Sequence, residues 1–421
     1  MARSTERRTI AAGAIGNVLE WYDFAIYGYF ATAIGRAFFP ASDPVAQVLA
    51  AFGIFAVGYL MRPLGGLLIG HIGDRFGRRA ALNVSVLAMA VPTFLVGALP
   101  DHDTLGVMAP VLLTGLRMVQ GLSVGGEYTT SVVFMVENAR SDRRGFVGAL
   151  ACCGAIGGVL LGSATGAALG ALLPTEALEA WGWRIPFLMG LVVGLAGFFV
   201  RRHVAEGAPA ASGVSSPLRA VLANHKRLLL RLAGFSVFNA VGFYLMFVYI
   251  VSWLQMADGI APGRALEINS LSMAALLVFT LAAGRLSDRI GRRPVLLGGL
   301  AIGFLGAWPL LSLMHHADAT FVILGQLGFA VAIGAFLGCQ PATMVEAVPR
   351  AVRCTAIALG YNLCLGVVGG LTPLAAAWLV RRTHDDLAPA FLVMAAAVLS
   401  ALAVRALGET RGRDGGAVSG G

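Results

Sequence analysis

Two carboxylates, Glu20 and Asp23, and two guanidinium groups, Arg62 and Arg117, stand inside stretches of sequence that are otherwise apolar. Wound as a helix at about 100° per residue, Asn17, Glu20, Asp23 and Tyr27 fall at about 0°, −60°, −120° and −80°, on one face. A carboxylate in hydrocarbon costs about 2.5–3.5 kcal/mol on insertion scales. Burial and a like charge one turn away both favour the protonated form of a carboxyl. Such a pair can take up and release a proton, with Asp23 the deeper of the two; the competing reading is a structural pair neutralised by Arg62 or Arg117. Arg117, Gln120, Glu127 and Tyr128 share a face in the same way. The planar fork of an arginine suits a carboxylate bidentately, so Arg117 either holds the carboxylate of a bound molecule or pairs with Asp23 and exchanges partners. Arg62 has the same chemistry, and Pro63 with the glycines that follow offers it a second role at a helix bend.

The elements that position these groups follow from composition. Of 421 residues, 57% are hydrophobic and 13% charged, with a mean hydropathy of +0.79. A soluble chain carries about 25% charged residues, so a soluble surface and a disordered chain are both excluded, and a membrane protein remains. Runs of about 20 apolar residues give twelve spans, at 10–36, 46–70, 80–99, 107–136, 145–173, 184–201, 229–256, 266–284, 294–314, 319–344, 354–380 and 387–407. The segments on the side shared by both termini hold 24 of the 31 Lys and Arg residues, against five on the other side. The positive-inside rule therefore places both termini in the cytoplasm. This accounts for the net charge of +9 without nucleic acid. Glu20 and Asp23 rule out a cleavable signal, and the first run is read as a span.

Several chemistries are excluded. Five cysteines in apolar runs read as reduced, without a disulfide framework. Gly121-Leu122-Ser123-Val124-Gly125 matches a hydrolase nucleophile pattern, but no histidine base lies inside any span. His315-His316 and Cys152-Cys153 lack further ligands at metal spacing. Neither an enzyme nor a metal or cofactor protein is expected.

The chain divides into a six-helix half at 1–201, a polar cytoplasmic linker at 202–228, a second half at 229–411 and a glycine-rich, disordered tail at 412–421. The halves repeat: Gly70-His71-Ile72-Gly73-Asp74-Arg75-Phe76-Gly77-Arg78-Arg79 follows the second span. Gly284-Arg285-Leu286-Ser287-Asp288-Arg289-Ile290-Gly291-Arg292-Arg293 follows the eighth. Both Asp74 and Asp288 are placed where a carboxylate can meet a helix N-terminus of the other half. Simple anchoring by arginine is the preferred reading of Arg79, Arg292 and Arg293. Parallel repeats with a midplane site between them mark a transporter that rocks about that site.

The repeated loop resembles that of the major facilitator superfamily. Further motifs are similar to its metabolite:proton symporters, the citrate, α-ketoglutarate, shikimate and proline/betaine carriers. They are Gly16-Asn17-Val18-Leu19-Glu20-Trp21-Tyr22-Asp23-Phe24, Met61-Arg62-Pro63-Leu64-Gly65-Gly66, Arg117 to Tyr128, Trp181-Gly182-Trp183-Arg184 and Gly370-Leu371-Thr372-Pro373. The resemblance implies an all-α fold of twelve transmembrane helices in two halves. It also implies that the loop after span 2 latches the outward-open state, a role that falls on Gly70, Asp74, Arg75, Gly77 and Arg78, with Asp288 in the repeat. The family's Trp- and Gln-containing stretch early in helix 5 is replaced here by Ala149-Leu150-Ala151-Cys152-Cys153, and the long C-terminal coiled coil of some proline/betaine carriers is not expected.

In the second half the polar candidates are Asn239, Tyr244, Gln340, Tyr361 and Asn362, and the only acidic residue inside its spans is Glu267, second in the eighth. The expected function is import of a small carboxylate-bearing metabolite, an organic acid, with protons across the inner membrane by a monomer. Asp23 and Glu20 would carry the proton. Arg117, Arg62, Gln120, Asn17, Tyr27 and Tyr128, with the second-half residues, would hold the substrate. The alternatives are a proton-coupled carrier of zwitterionic osmolytes such as proline or betaine, and an exporter of the same fold.

Overall fold

The computed structural model describes residue 18 and residues 21–40, 43–76, 78–123, 127–201, 217–316 and 318–413. Among the described residues twelve membrane-length helical runs follow one another. They are α1 (21–38), α2 (44–76, with one open turn at Met61), α3 (Arg78–Ala98), α4 (Met108–Ser123 and Glu127–Glu137), α5 (Arg144–Leu172) and α6 (Arg184–Arg201). The second six are α7 (Lys226–Ala257), α8 (Pro262–Ile290), α9 (Arg292–Met314), α10 (Ala319–Ala347), α11 (Arg350–Thr383) and α12 (Pro389–Leu407). Large apolar side chains such as Val192, Val278, Leu305 and Leu402 point outward, as a lipid-facing surface requires.

Local chemistry sets the helix ends. Asp43 and Asp318 cap α2 and α10, their carboxylates accepting from Val45 N–H at 2.9 Å and Thr320 N–H at 2.8 Å. Proline opens α2, α8 and α12, where its missing N–H costs nothing. Gly291, at φ 102°, ends α8 and lets α9 begin at the next residue. A side chain there would meet the left-handed penalty.

The halves meet along small-residue seams. On α5, Gly158 and Gly162 face Trp21 and Ile26 of α1, whereas Gly166 and Gly170 face Leu266 and Gly263 of α8. A Cβ at Gly263 would stand 2.7 Å from the Gly170 Cα, and one at Gly284 would stand 2.8 Å from the Gly145 carbonyl oxygen. Thus α5 and α8 touch at both ends of their length. Close approach of this kind is how helices associate in lipid, where burial of apolar area gives little. Similarly, α2 lies against α11, with Gly366 beside the Tyr59 backbone. At the end away from the repeated loops, Arg381 of α11 pairs with Asp43 at 2.9 Å.

α7 and α11 each contain one wide π turn, at Leu245–Tyr249 and Leu365–Gly369. The extra residue rotates the helix face beside Tyr244 and a few residues beyond Tyr361, both of which face the centre.

Candidate functional site

Asp23 of α1 is buried, and its carboxylate accepts a hydrogen bond from the Thr93 hydroxyl of α3 at 2.8 Å. The same hydroxyl lies 2.8 Å from the Met89 carbonyl oxygen, one turn back on its own helix. It accepts in turn from the Gln120 amide at 2.6 Å, and the Gln120 oxygen accepts from Arg117 Nη1 at 2.8 Å. A continuous donor chain therefore runs from the Arg117 guanidinium through Gln120 and Thr93 to Asp23. Every donor in it points toward the carboxylate. Arg117 and Asp23 are joined by this relay rather than by a direct ion pair.

Arg117 is fully buried on three aromatic faces, with its guanidinium carbon 4.3 Å from the Tyr27 ring centroid, 4.9 Å from Phe24 and 5.7 Å from Phe55. Its Nε and Nη2 make no hydrogen bond among the described residues. Buried guanidinium donors left in that state are costly, and an anion would satisfy them. The Tyr27 hydroxyl is tied to the Ala51 carbonyl at 3.1 Å, so this residue offers its ring rather than its oxygen. Arg62 lies 5.2 Å from the Tyr59 ring and 5.8 Å from both Trp21 and Phe24.

The second half closes this space with further rings. Tyr361 of α11 stacks on Tyr128 of α4 with centroids 5.5 Å apart. Trp21 stands edge-on to Tyr128 at 6.2 Å and to Phe243 at 6.3 Å. The Tyr244 hydroxyl donates to the Tyr59 hydroxyl at 2.9 Å across the halves. Asn239 donates to Gln340 at 2.9 Å, and Asn362 is buried beside Tyr361 in sequence. Arg62, Arg117, Trp21, Tyr59, Tyr128, Tyr244 and Tyr361 thus converge where the two halves meet. Trp21, Tyr59, Phe243 and Thr93 were not among the expected site residues. Trp21 could have been found from its place two residues before Asp23, and Tyr59 from its place three before Arg62.

A second polar cluster lies at the end that carries the repeated loops. Asp288 accepts from the N–H groups of Gly145 at 2.8 Å and Phe146 at 2.9 Å, at the first turn of α5. A carboxylate of the second half thus caps a helix of the first. Arg292, fully buried, donates to Asp288 at 2.7 Å and, through Nε and Nη2, to Glu346 at 3.2 and 3.0 Å. This overturns two expectations. Arg292 is no surface anchor but the centre of a buried ion triad. Glu346 is a buried acid inside a second-half helix, because α10 runs on to Ala347 instead of stopping near 344. Burial pushes the Glu409 carboxyl up, but N–H bonds from Arg411, Arg292, Arg293 and Thr410 together hold it below the usual glutamate value. Asn17, Glu20 and Gly77 lie outside the described residues, as do the side chains of Asp74, Arg75, Arg78 and Glu127; Gly70 falls within α2.

Two family profiles match the chain: "Sugar (and other) transporter" over residues 9–209 and "Major Facilitator Superfamily" over residues 259–419. The glycine betaine/proline/ectoine/pipecolic acid transporter of Dickeya dadantii is 35% identical over 96% of this chain and 83% of its own length. The proline/betaine transporter of Escherichia coli is 34% identical, with 97% of this chain and 84% of that protein covered. Among solved structures, a D-xylose-proton symporter superposes with a TM-score of 0.75 at 19% identity, covering 97% of this chain and 98% of the other. With its twelve helices, paired halves and end-to-end relatives, the chain belongs to the major facilitator superfamily, as a multi-pass transporter of the inner membrane and not an enzyme.

Proposed function

We propose that the protein carries a small zwitterion, of the glycine betaine or proline type, together with a proton. The observation that carries this reading is the joining of buried guanidinium groups to an aromatic enclosure at the junction of the halves. Unpaired donors of Arg117, and Arg62 beside them, suit a carboxylate. The faces of Trp21, Tyr59, Tyr128, Tyr244 and Tyr361 suit an ammonium that has no proton to donate, because a ring quadrupole attracts a cation without hydrogen bonding. An organic acid uses only the first feature. The names of the relatives favour the zwitterion as well, and the organic acid gives way to it as the substrate class.

The Thr93 hydroxyl gives the proton a route to influence this site. With Asp23 ionised, Thr93 donates to the carboxylate. When Asp23 is protonated, the hydroxyl can donate to the Met89 carbonyl instead and accept from Asp23. Gln120 then feels a changed acceptor, and Arg117 feels it through Gln120. Proton and substrate occupancy are thereby linked, and linkage is reciprocal. In this reading the termini face the cytoplasm, and the repeated loops close the cytoplasmic side of the site, with Asp74 and Asp288 as their carboxylates.

Calorimetry with three related probes tests the substrate class. Glycine betaine should bind. Its methyl ester, which lacks the anion, and 3,3-dimethylbutanoate, which lacks the cation, should both bind poorly. Equal binding of 3,3-dimethylbutanoate and betaine would restore the organic-acid reading.

A further inference from the structure

We infer that Gly190 of α6 is a positioning residue for the proton site: having no side chain, it lets α6 close over Thr93 and fixes the rotamer that aims the Thr93 hydroxyl at Asp23. This role presupposes Asp23 as the proton carrier. Gly190 is buried inside α6. A Cβ there would stand 2.5 Å from Thr93 Cγ2, 3.1 Å from Thr93 Cβ and 3.5 Å from Asp23 Oδ1. Thus α6 is the third wall of the carboxylate, after α1, which carries it, and α3, which donates to it.

The methyl and the hydroxyl of a threonine share one carbon, so neither turns without the other. In the present rotamer Thr93 Oγ1 lies 2.8 Å from Asp23 Oδ2, 2.8 Å from the Met89 carbonyl oxygen and 2.6 Å from Gln120 Nε2, while the methyl lies over Gly190. A methyl group on residue 190 could be admitted in two ways. Either Thr93 turns to another staggered well, which takes Oγ1 off its three partners at once, or α6 withdraws and uncovers the carboxylate. The first cuts the relay from Arg117 to Asp23, and the second wets its end.

Alanine is the better helix former, so a glycine at 190 gives up helix stability that its contacts must offset. Close packing alone accounts for the next glycine on this face. A Cβ at Gly194 would stand 2.2 Å from that of Ala90, and among the described residues it would meet only Ala90 within 4 Å. At Gly190 the neighbours are instead the donor and the acceptor of the hydrogen bond that ties the carboxylate to the relay. One glycine sets a helix distance; the other sets a hydroxyl direction.

The test uses the purified full chain and dicyclohexylcarbodiimide, an apolar reagent that reacts with protonated carboxyls. Peptide mass spectrometry follows the adduct on Asp23 against pH, with no substrate present. Gly190→Ala should displace this pH profile by about one pH unit or more, because a hydrogen bond to a charged group is worth at least that factor of ten. Thr93→Ser keeps the hydroxyl but loses the methyl that locks it, and should displace the profile less. Gly190→Ala combined with Thr93→Ser puts the new methyl into the vacated space and should return to the parent's profile. Gly194→Ala, a packing change on the same face, should lower the thermal midpoint and leave the profile in place. Should Gly190→Ala fail to fold, the step from Thr93→Ser to the double variant still reads the lock. An unmoved profile in Gly190→Ala, an equal displacement in Gly194→Ala, or a double variant displaced by the sum of the singles would overturn the positioning role. Proton-driven accumulation by Asp23→Asn equal to the parent's would remove the proton-carrier reading instead, and the labelling result would stand.

Discussion

Replacing Asp288 by Asn removes one charge from the cluster that ties α8 to α5. In the structure the carboxylate accepts two backbone N–H groups from the first half and one Arg292 donor, at 2.7–2.9 Å. The amide keeps one acceptor oxygen, so one of the Gly145 and Phe146 bonds is lost and the other loses its charge assistance. A hydrogen bond to a charged group is worth about 1.5–3 kcal/mol, and the second half keeps Arg292 occupied through Glu346. The net weakening applies only while the halves touch at this end. It should therefore appear as a change in the balance between open and closed forms of roughly ten- to a hundredfold, more than as a loss of fold. Cysteines placed singly at Ala149, on the loop end, and Leu266, on the opposite end, report the two sides in a background free of the native thiols. Both positions are buried against the other half. Asp288→Asn should speed maleimide labelling at Ala149→Cys and slow it at Leu266→Cys. Unchanged labelling at both positions in a folded protein would refute the reasoning and reduce Asp288 to a helix cap without conformational leverage.

Trp21→Ala should weaken glycine betaine binding by roughly tenfold or more, since a desolvated cation–π contact is worth about 2 kcal/mol; proline, with its N–H donors, should lose less, and calorimetry measures both. Arg117→Lys keeps the charge but loses the fork, and should cost about 1.5–3 kcal/mol of binding, with a neutral amide analogue of the substrate nearly unaffected. Glu409 has a depressed folded-state value, so its contribution to stability is complete above the ordinary glutamate range and is lost as pH falls through the lower folded-state value. Glu409→Gln should accordingly lower the thermal midpoint at pH 7, and the difference from the parent protein should shrink in acid.

The twelve helices were legible because a bilayer demands long apolar runs, and their ends mostly fall within a few residues of those read from the sequence. The exceptions are informative. α8 and α10 extend past their apolar runs to Ile290 and Ala347, carrying Asp288 and Glu346 into the protein. The apolar runs stop short of the charges at Arg285 and Glu346, whereas a buried ion triad lets the helices continue. The face of α1 that carries Asp23 was readable from periodicity. Its partner Thr93 was not, because a threonine in an apolar helix gives no signal until the neighbouring helix is placed. Tyr27 shows the converse: its position on the polar face was clear, but its hydroxyl is spent on the Ala51 carbonyl. Tyr128, Tyr244 and Tyr361 were read singly as substrate-facing, but the enclosure they form with Trp21 and Tyr59 was not legible, because its rings come from α1, α2, α4, α7 and α11 and no local spacing relates them. Arg62, flanked by a proline and glycines, read first as part of a bend and second as a binding group; the structure has an open turn at Met61 and aromatic rings around the guanidinium.

The central claim is that one buried carboxylate couples a proton to the movement of a zwitterion. Uptake of radiolabelled glycine betaine into proteoliposomes, under an imposed inward proton gradient, tests it most directly. The parent protein should concentrate betaine above the level in the medium, and a protonophore should abolish the accumulation. Asp23→Asn should fail to accumulate betaine yet still exchange it across the membrane. Accumulation by Asp23→Asn equal to that of the parent protein, or accumulation by the parent indifferent to the protonophore, would contradict the account.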